Sequence, residues 1–347
     1  MTSEKRPWTA LYPNGLDPEP TVPFVSLVDA WRARVDADPD GKAIAYFDGV
    51  LTARETDELS DALAVALTAR GVQRGDRVGI YLQNIPQYAL TLLALWKLGA
   101  AALVLNPMYR RAELRRLVDD AEIVGIVCAD TAVAETADTV RDSSVRWILS
   151  TSDLDFQTRD DARVFPSTDR AVAAPDGDLV ELIEQHRGRR PPHVEITGDD
   201  VALLAYTSGT TGPPKGAMNT HANVLAVATT FGSFVGLAAG DAVFAVAPLF
   251  HITGAVINAT LALVHDTTLV FANRFTPRSR SRPSSSTGSR SRSARSRCST
   301  PCTKPPAPMP GTSPRSRPST PAARPSRPRP WRSSKRSSAS TSTTPTA

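Results

Sequence analysis

The amino-acid sequence predicts an α/β fold over residues 1–275, with mostly parallel sheets flanked by helices, followed by a disordered tail over residues 276–347. Three observations carry this reading. Apolar, β-branched runs alternate with segments of helical period through the first 275 residues, the arrangement that gives a parallel sheet covered on both faces. Charge changes abruptly at Thr276: residues 1–275 hold 24 Lys or Arg against 35 Asp or Glu, a net charge of −11, whereas residues 276–347 hold 14 Arg and 2 Lys with no acid, a net charge of +16. A ten-residue loop rich in glycine and hydroxyls follows directly on one of the strands.

The elements can be justified in order. Thr52 with Glu55 three residues on makes a capping box, and Leu59, Leu63, Ala66 and Leu67 follow at helical spacing as far as Gly71. Residues 76–82 then read as a strand, 86–98 as a helix with Pro86 in its first turn, and 101–105 as a buried strand, together a βαβ unit. A helix over 111–120, a strand over 123–128, an Ala- and Thr-rich helix and a strand over 145–149 repeat the alternation. The polar stretch 150–200, with Pro191-Pro192, reads as surface loop holding one short helix near 179–185. Beyond it come a strand over 201–206, a helix over 219–227, a strand over 242–246, a helix over 253–263 and a strand over 267–271. Trp96, Tyr88, Leu249 and Phe250 are candidate core residues, and His221 reads as an exposed residue in the first turn of its helix.

Composition excludes several classes of function. Residues 1–10 hold charges and a Trp but no apolar run, which argues against a secretory signal. The most apolar stretch, 89–105, spans 17 residues and is broken by Lys97 and Gly99, too little for a membrane span. Cys128 lies in an apolar run while Cys298 and Cys302 lie in the tail, which fits neither a disulfide framework nor a zinc ligand set. A cytoplasmic protein with no metal held by its own side chains is expected.

The loop after the strand at 201–206 runs Thr207, Ser208, Gly209, Thr210, Thr211, Gly212, Pro213, Pro214, Lys215 and Gly216. Glycines let backbone N–H groups approach phosphate oxygens, hydroxyls donate hydrogen bonds, and lysine brings a mobile point charge, so the composition suits an anion. It is not a Walker A motif: Gly209 and Gly212 are three apart, Gly216 follows the lysine, and Pro213-Pro214 blocks direct entry into a helix. By composition alone a flexible linker is the competing reading.

The string T-S-G-T-T-G-x-P-K-G resembles the phosphate-loop signature of the AMP-forming adenylating enzymes, which include acyl-CoA synthetases, luciferases and peptide-synthetase adenylation domains. Other stretches agree with it. Tyr46-Phe47-Asp48-Gly49 with Leu51-Thr52, and Gly71-Val72 with Gly75-Asp76-Arg77-Val78, look like the N-terminal region of these ligases. Gln83-Asn84, Trp96-Lys97-Leu98-Gly99-Ala100 and Asn106-Pro107-Met108-Tyr109 with Glu113-Leu114 are similar to their fatty-acid and aryl-acid branches. The resemblance runs from residue 8 to residue 275 and implies an incomplete N-terminal domain of the adenylate-forming fold. It also implies a two-step reaction of a small-molecule carboxylic acid with ATP, Mg²⁺ and coenzyme A. Thr207, Ser208, Gly209, Thr210, Thr211, Gly212 and Lys215 would hold the phosphates, with Lys215 acting in catalysis. His251, in Phe250-His251-Ile252-Thr253-Gly254, would line the acyl pocket and gate the carboxylate. Contact with membranes would be peripheral, through acyl substrates.

The resemblance stops at Phe275. The Y-G-x-T-E element, the ribose-binding T-G-D and the lid lysine of these ligases are missing from the 347 residues, so this chain is expected to be inactive. Two readings of the tail compete. Ser-Arg alternation between Arg278 and Arg297 looks like the RS segments of RNA-binding proteins, a basic arm for phosphate backbones. A non-catalytic nucleotide binder is a further possibility for the folded part. The other reading of the tail is a shifted frame. If one base is missing at Thr276, the genetic code lets Thr276 stand for Asp, giving R-F-D. It lets residues 322–327 stand for G-G-A-A-L-P and 339–343 for G-V-D-I-Y, and it lets the final Thr346-Ala347 stand for Tyr-Gly. All are ligase-like and in the right order. No specific nucleic-acid partner is then expected.

Overall fold

The computed structural model describes residues 7–12, 17, 21–157, 159, 164–165, 171, 173–207 and 214–273. The disorder expected of residues 276–347 falls outside them. In chain order the elements are α1 (Leu27–Ala37), β1 (Lys42–Tyr46), β2 (Gly49–Thr52), α2 (Ala53–Ala69), β3 (Arg77–Tyr81), α3 (Pro86–Lys97) and β4 (Ala101–Val104). Then come α4 (Arg111–Ala121), β5 (Gly125–Ala129), α5 (Val133–Val140), β6 (Trp147–Thr151), α6 (Leu179–His186), β7 (Val201–Tyr206) and β8 (Gly216–Thr220). The series closes with α7 (His221–Val235), β9 (Ala242–Phe244), a π-helix (Gly254–Thr260), α8 (Leu261–Val264) and β10 (Thr268–Phe271).

The strands form two sheets. One has the order β6-β5-β3-β4-β7-β8 and is parallel except for β8; the other has the order β2-β1-β10-β9 and is parallel except for β2. In the larger sheet β3 to β6 are buried along almost their whole length, which is why each reads as an unbroken apolar run rather than an alternation. Helix α3 packs against β3 and β4 of one sheet and β1 of the other, and all twelve of its residues are buried. A helix apolar on every side is a core helix when it is this short, and among the described residues none is long and apolar enough to cross a membrane. Trp31, Trp96, Tyr46 and Tyr88 are the bulkiest fully buried side chains.

Local signals are realised where they were read. Thr52 Oγ1 accepts from the N–H of Glu55 at 3.1 Å while the Glu55 carboxylate accepts from the N–H of Thr52 at 2.7 Å, a cap worth about 1 kcal/mol. Lys97, which interrupts the apolar stretch, is buried, and its ammonium donates to Asp57 Oδ1 (2.7 Å), Asp61 Oδ1 (2.6 Å), Ser60 Oγ (2.8 Å) and the Asp57 carbonyl (3.1 Å). The charge therefore joins α3 to α2 instead of breaking the core.

Four features differ from the sequence reading. Helix α1 and the hairpin β1–β2 of the smaller sheet have no counterpart in the sequence reading. Strand β8 stands between the glycine loop and α7, so the helix starts at His221 rather than Asn219. The helix expected over 253–263 is mostly π-helix. His221, read as exposed, is fully buried: its Nδ1 accepts from the N–H of Leu27 at 3.3 Å, its ring lies edge-on to Trp96, and burial pushes its pKa down to about 4. Position in a first turn does not decide which way a side chain faces; α1 and α3 close over this one.

Candidate active site

The glycine loop joins β7 to β8, two strands that pair antiparallel. Strand β7 runs parallel to β4 and ends at Tyr206; β8 returns antiparallel, with Tyr206 paired to Gly216. The N–H of Thr207 donates to the carbonyl of Lys215 at 3.1 Å and ties the neck. Thr207 and Lys215 are both exposed there. Ser208, Gly209, Thr210, Thr211 and Gly212 lie outside the described residues. The neck has a side-chain anchor as well: the Tyr206 hydroxyl donates to the Asp120 carboxylate on α4, and burial together with Asp120 raises its pKa well above the usual tyrosine range. A Cβ on Gly216 would stand 3.1 Å from the Tyr206 ring and 3.2 Å from Leu204 Cδ1, so a side chain there would have to push the ring aside. Because β8 intervenes, the loop does not open a helix. An anion held at it would depend on loop N–H groups, hydroxyls and Lys215, without a helix dipole behind them.

His251 follows β9 of the other sheet. Its N–H donates to the Pro248 carbonyl at 3.0 Å, closing a turn, and its own carbonyl accepts from Ala255 at 2.9 Å as the π-helix begins. The ring is exposed, and its Nδ1 lies 3.3 Å from the N–H of Thr253. Gly254 explains the spacing of the motif: a Cβ there would lie 2.0 Å from the Pro248 carbonyl oxygen. Only glycine lets the π-helix start directly against the turn that presents His251. Leu249 is buried and Phe250 half-buried. Beside this segment lies a cavity of about 240 Å³ between α7 and the π-helix, lined by Asn223, Val224, Val227, Ile252, Val256 and Ile257. π-Helical turns are uncommon and concentrate at functional sites.

Thr207 and Lys215 stand at the carboxyl end of β7 in the larger sheet, and His251 follows β9 in the smaller one; the carboxyl ends of parallel strands are where α/β sheets bind ligands. Other reactive groups do not join them. Cys128 is buried and burial pushes its thiol up to about 12, leaving it unreactive. A larger cavity of about 490 Å³ at α1 and α2 was not foreseen; its lining mixes Arg32, Arg54, Lys97 and Arg190 with Asp36, Asp57, Glu58 and Asp61, so its charges are balanced. No group of three or more His, Cys, Asp or Glu that could hold a metal ion occurs among the described residues.

A family model described as "AMP-binding enzyme" matches residues 31–284. The chain is 31% identical over 277 residues to a long-chain-fatty-acid–CoA ligase of Bacillus subtilis (strain 168), covering 76% of this chain and 49% of that protein. It is 30% identical over 271 residues to the long-chain-fatty-acid–CoA ligase of Escherichia coli O6:H1, covering 74% and 48%. Among solved structures, a long-chain-fatty-acid-CoA ligase from Archaeoglobus fulgidus superposes with a TM-score of 0.62 at 25% identity, over 76% of this chain and 50% of that one. The chain spans about half the length of the curated relatives it matches.

Proposed function

The chain belongs to the AMP-binding enzyme family, and from that premise we propose that its chemistry is that of an ATP-dependent acid:CoA ligase acting on fatty or related carboxylic acids. Its two helix-flanked sheets are the N-terminal part of the adenylate-forming fold. The observation that carries the proposal is the glycine- and hydroxyl-rich string between β7 and β8, whose ends Thr207 and Lys215 are held together at the carboxyl end of β7.

In this reading a carboxylate oxygen attacks the α-phosphorus of ATP and pyrophosphate leaves; the thiol sulfur of coenzyme A then attacks the acyl carbon and AMP leaves. Thr207, Ser208, Thr210 and Thr211 donate hydrogen bonds to the β- and γ-phosphates, Gly209 and Gly212 let the backbone approach them, and Lys215 meets the charge that grows on the leaving pyrophosphate. Mg²⁺ accompanies ATP in this reaction, and none of the described residues is assigned to it. His251, on its exposed turn, faces the incoming carboxylate. The enzyme works in the cytoplasm and meets membranes only peripherally, through its acyl substrates.

The test is acyl-CoA formation from ATP, a fatty acid and coenzyme A, measured for the 347-residue chain and for a version extended in the alternative frame from Thr276. The extended version is expected to be active and the 347-residue chain, which lacks the adenine, ribose and lid contacts, is not. An extended version that binds ATP but exchanges no pyrophosphate with any carboxylic acid would overturn the ligase reading.

A further inference from the structure

Gln83-Asn84 resembles the ligases in sequence yet takes no part in the loop or in the turn that holds His251. Its place in the structure gives Asn84 a task. Asn84 lies in the connection between β3 and α3 and is 5% exposed. Its carboxamide reaches across to the other sheet: Nδ2 donates to the carbonyls of Ala245 (2.8 Å) and Ala247 (3.0 Å), and Oδ1 accepts from the N–H of Leu249 (2.9 Å). In the first turn of α3, the buried Tyr88 hydroxyl donates to the Leu249 carbonyl at 2.7 Å. Residues 245–249 are the stretch between β9 and the turn that presents His251.

Where an irregular segment is buried, as this one is at Ala245 and Leu249, its backbone polar groups must find partners. Here two side chains, one from the β3–α3 connection and one from the first turn of α3, satisfy three carbonyls and one N–H in five residues. Packing alone needs only volume. Directional bonds to Ala245, Ala247 and Leu249 fix how the chain leaves β9, and so where His251 stands relative to the larger sheet, which carries the phosphate loop on β7.

We propose that Asn84 and Tyr88 are positioning residues for His251, holding the exit of one sheet in register with the carboxyl edge of the other. The proposal rests on the reading of His251 as the residue that faces the carboxylate. Its test uses the 347-residue chain labelled with ¹³C at histidine Cε1, the His251 signal being identified by its loss in His251→Gln. Asn84→Ala is expected to move the His251 signal and to speed amide exchange at Leu249 about tenfold, the effect of losing one backbone hydrogen bond. Tyr88→Phe, which removes a single bond and keeps the ring, gives the same readout in a milder form should Asn84→Ala not fold. Thr91→Val is the control, because Thr91 is equally buried in α3 but bonds only to Gln87 of its own helix. If Asn84→Ala or Tyr88→Phe lowers the melting temperature as Thr91→Val does and leaves the His251 signal and Leu249 exchange unmoved, the two residues only pack and the proposal falls. Binding of dodecanoate separates the two layers of the argument. If His251→Gln does not weaken it while Asn84→Ala still shifts the His251 signal, the positioning holds and the assignment of His251 is what fails.

Discussion

The N–H of Thr207 and the carbonyl of Lys215 meet at 3.1 Å, so the first and ninth residues of the glycine-rich loop are held together by the backbone itself. The lysine thereby leaves the sheet at a fixed point, with its side chain exposed. In a version extended through the alternative frame, Lys215→Ala is expected to lower the adenylation rate by about 10², the size of one transition-state donor. Stability should stay within about 0.5 kcal/mol because the side chain is exposed. ATP–pyrophosphate exchange checks the first expectation and a denaturant titration the second; unchanged exchange removes Lys215 from the mechanism.

Gly254→Ala is expected to be costly even though it adds one methyl group. The new Cβ would fall 2.0 Å from the Pro248 oxygen and 2.5 Å from its carbon, both backbone atoms that no rotamer can move. Overpacking of this kind costs about 1–3 kcal/mol, read as a lower urea midpoint with an unchanged slope. Gly240→Ala serves as comparison: its Cβ meets nothing within 4 Å, and only its positive φ of 80° counts against it. Equal losses in the two variants would mean that the turn before the π-helix yields easily and does not fix His251.

These two sites show what the sequence made legible and what it did not. The βαβ units could be read because β3 to β6 are buried on both faces and so are written as apolar runs. The loop could be read because its ten residues are a specific string. Strand β8 could not: Gly216, Ala217 and Met218 are exposed at a sheet edge, where pairing to β7 rather than side-chain pattern makes the strand. Helix α1 does have a signal in the sequence, Ser26 three residues before Asp29, which forms a capping box. The role of Asn84 left none, since its partners lie 161 to 165 residues away.

Buried His221 sets a pH dependence. Its folded pKa is about 4 against an ordinary 6.5; burial is the main cause, opposed by the charges of Asp200 and Asp29. Above pH 6.5 both folded and unfolded chains hold it neutral, and the bond from Leu27 is intact. As pH falls from 6.5 towards 4 the unfolded chain takes up the proton and the folded chain does not, so stability is lost over that window, on the order of 3 kcal/mol. His221→Asn removes the titration. It should be less stable at pH 7, through the cavity it leaves, yet lose less between pH 6.5 and 4. His265, lowered by burial in the same direction, keeps some slope in place. Urea midpoints of the two proteins at pH 7 and pH 4.5 decide the matter, and parallel losses would show that His221 does not titrate as its burial requires.

The last expectation concerns the gene and decides between the readings of residues 276–347. Residues 276–347 hold no Val, Leu, Ile or Phe and sixteen positive charges without one acid, a composition foreign to the core of a folded domain. The same codons moved by one base turn Ser into Leu, Val, Ile or Phe and Thr into Asp, His, Asn or Tyr, restoring the residue types a folded domain needs. We propose that the tail is such a shifted frame. Restoring one base at Thr276 should give Asp after Arg274-Phe275, then G-G-A-A-L-P at 322–327 and G-V-D-I-Y at 339–343. It should then read on through Y-G-x-T-E, T-G-D and a C-terminal lysine. Each hidden position has about four outcomes, so one match carries little weight, whereas an ordered series of them cannot come from a tail selected for its Arg and Ser. A genuine basic arm makes the opposite forecast: its other frames would soon meet stops and encode no ligase element. Sequencing the locus and translating its three forward frames is sufficient, and the absence of Y-G-x-T-E from all three would leave the basic arm as the reading that stands.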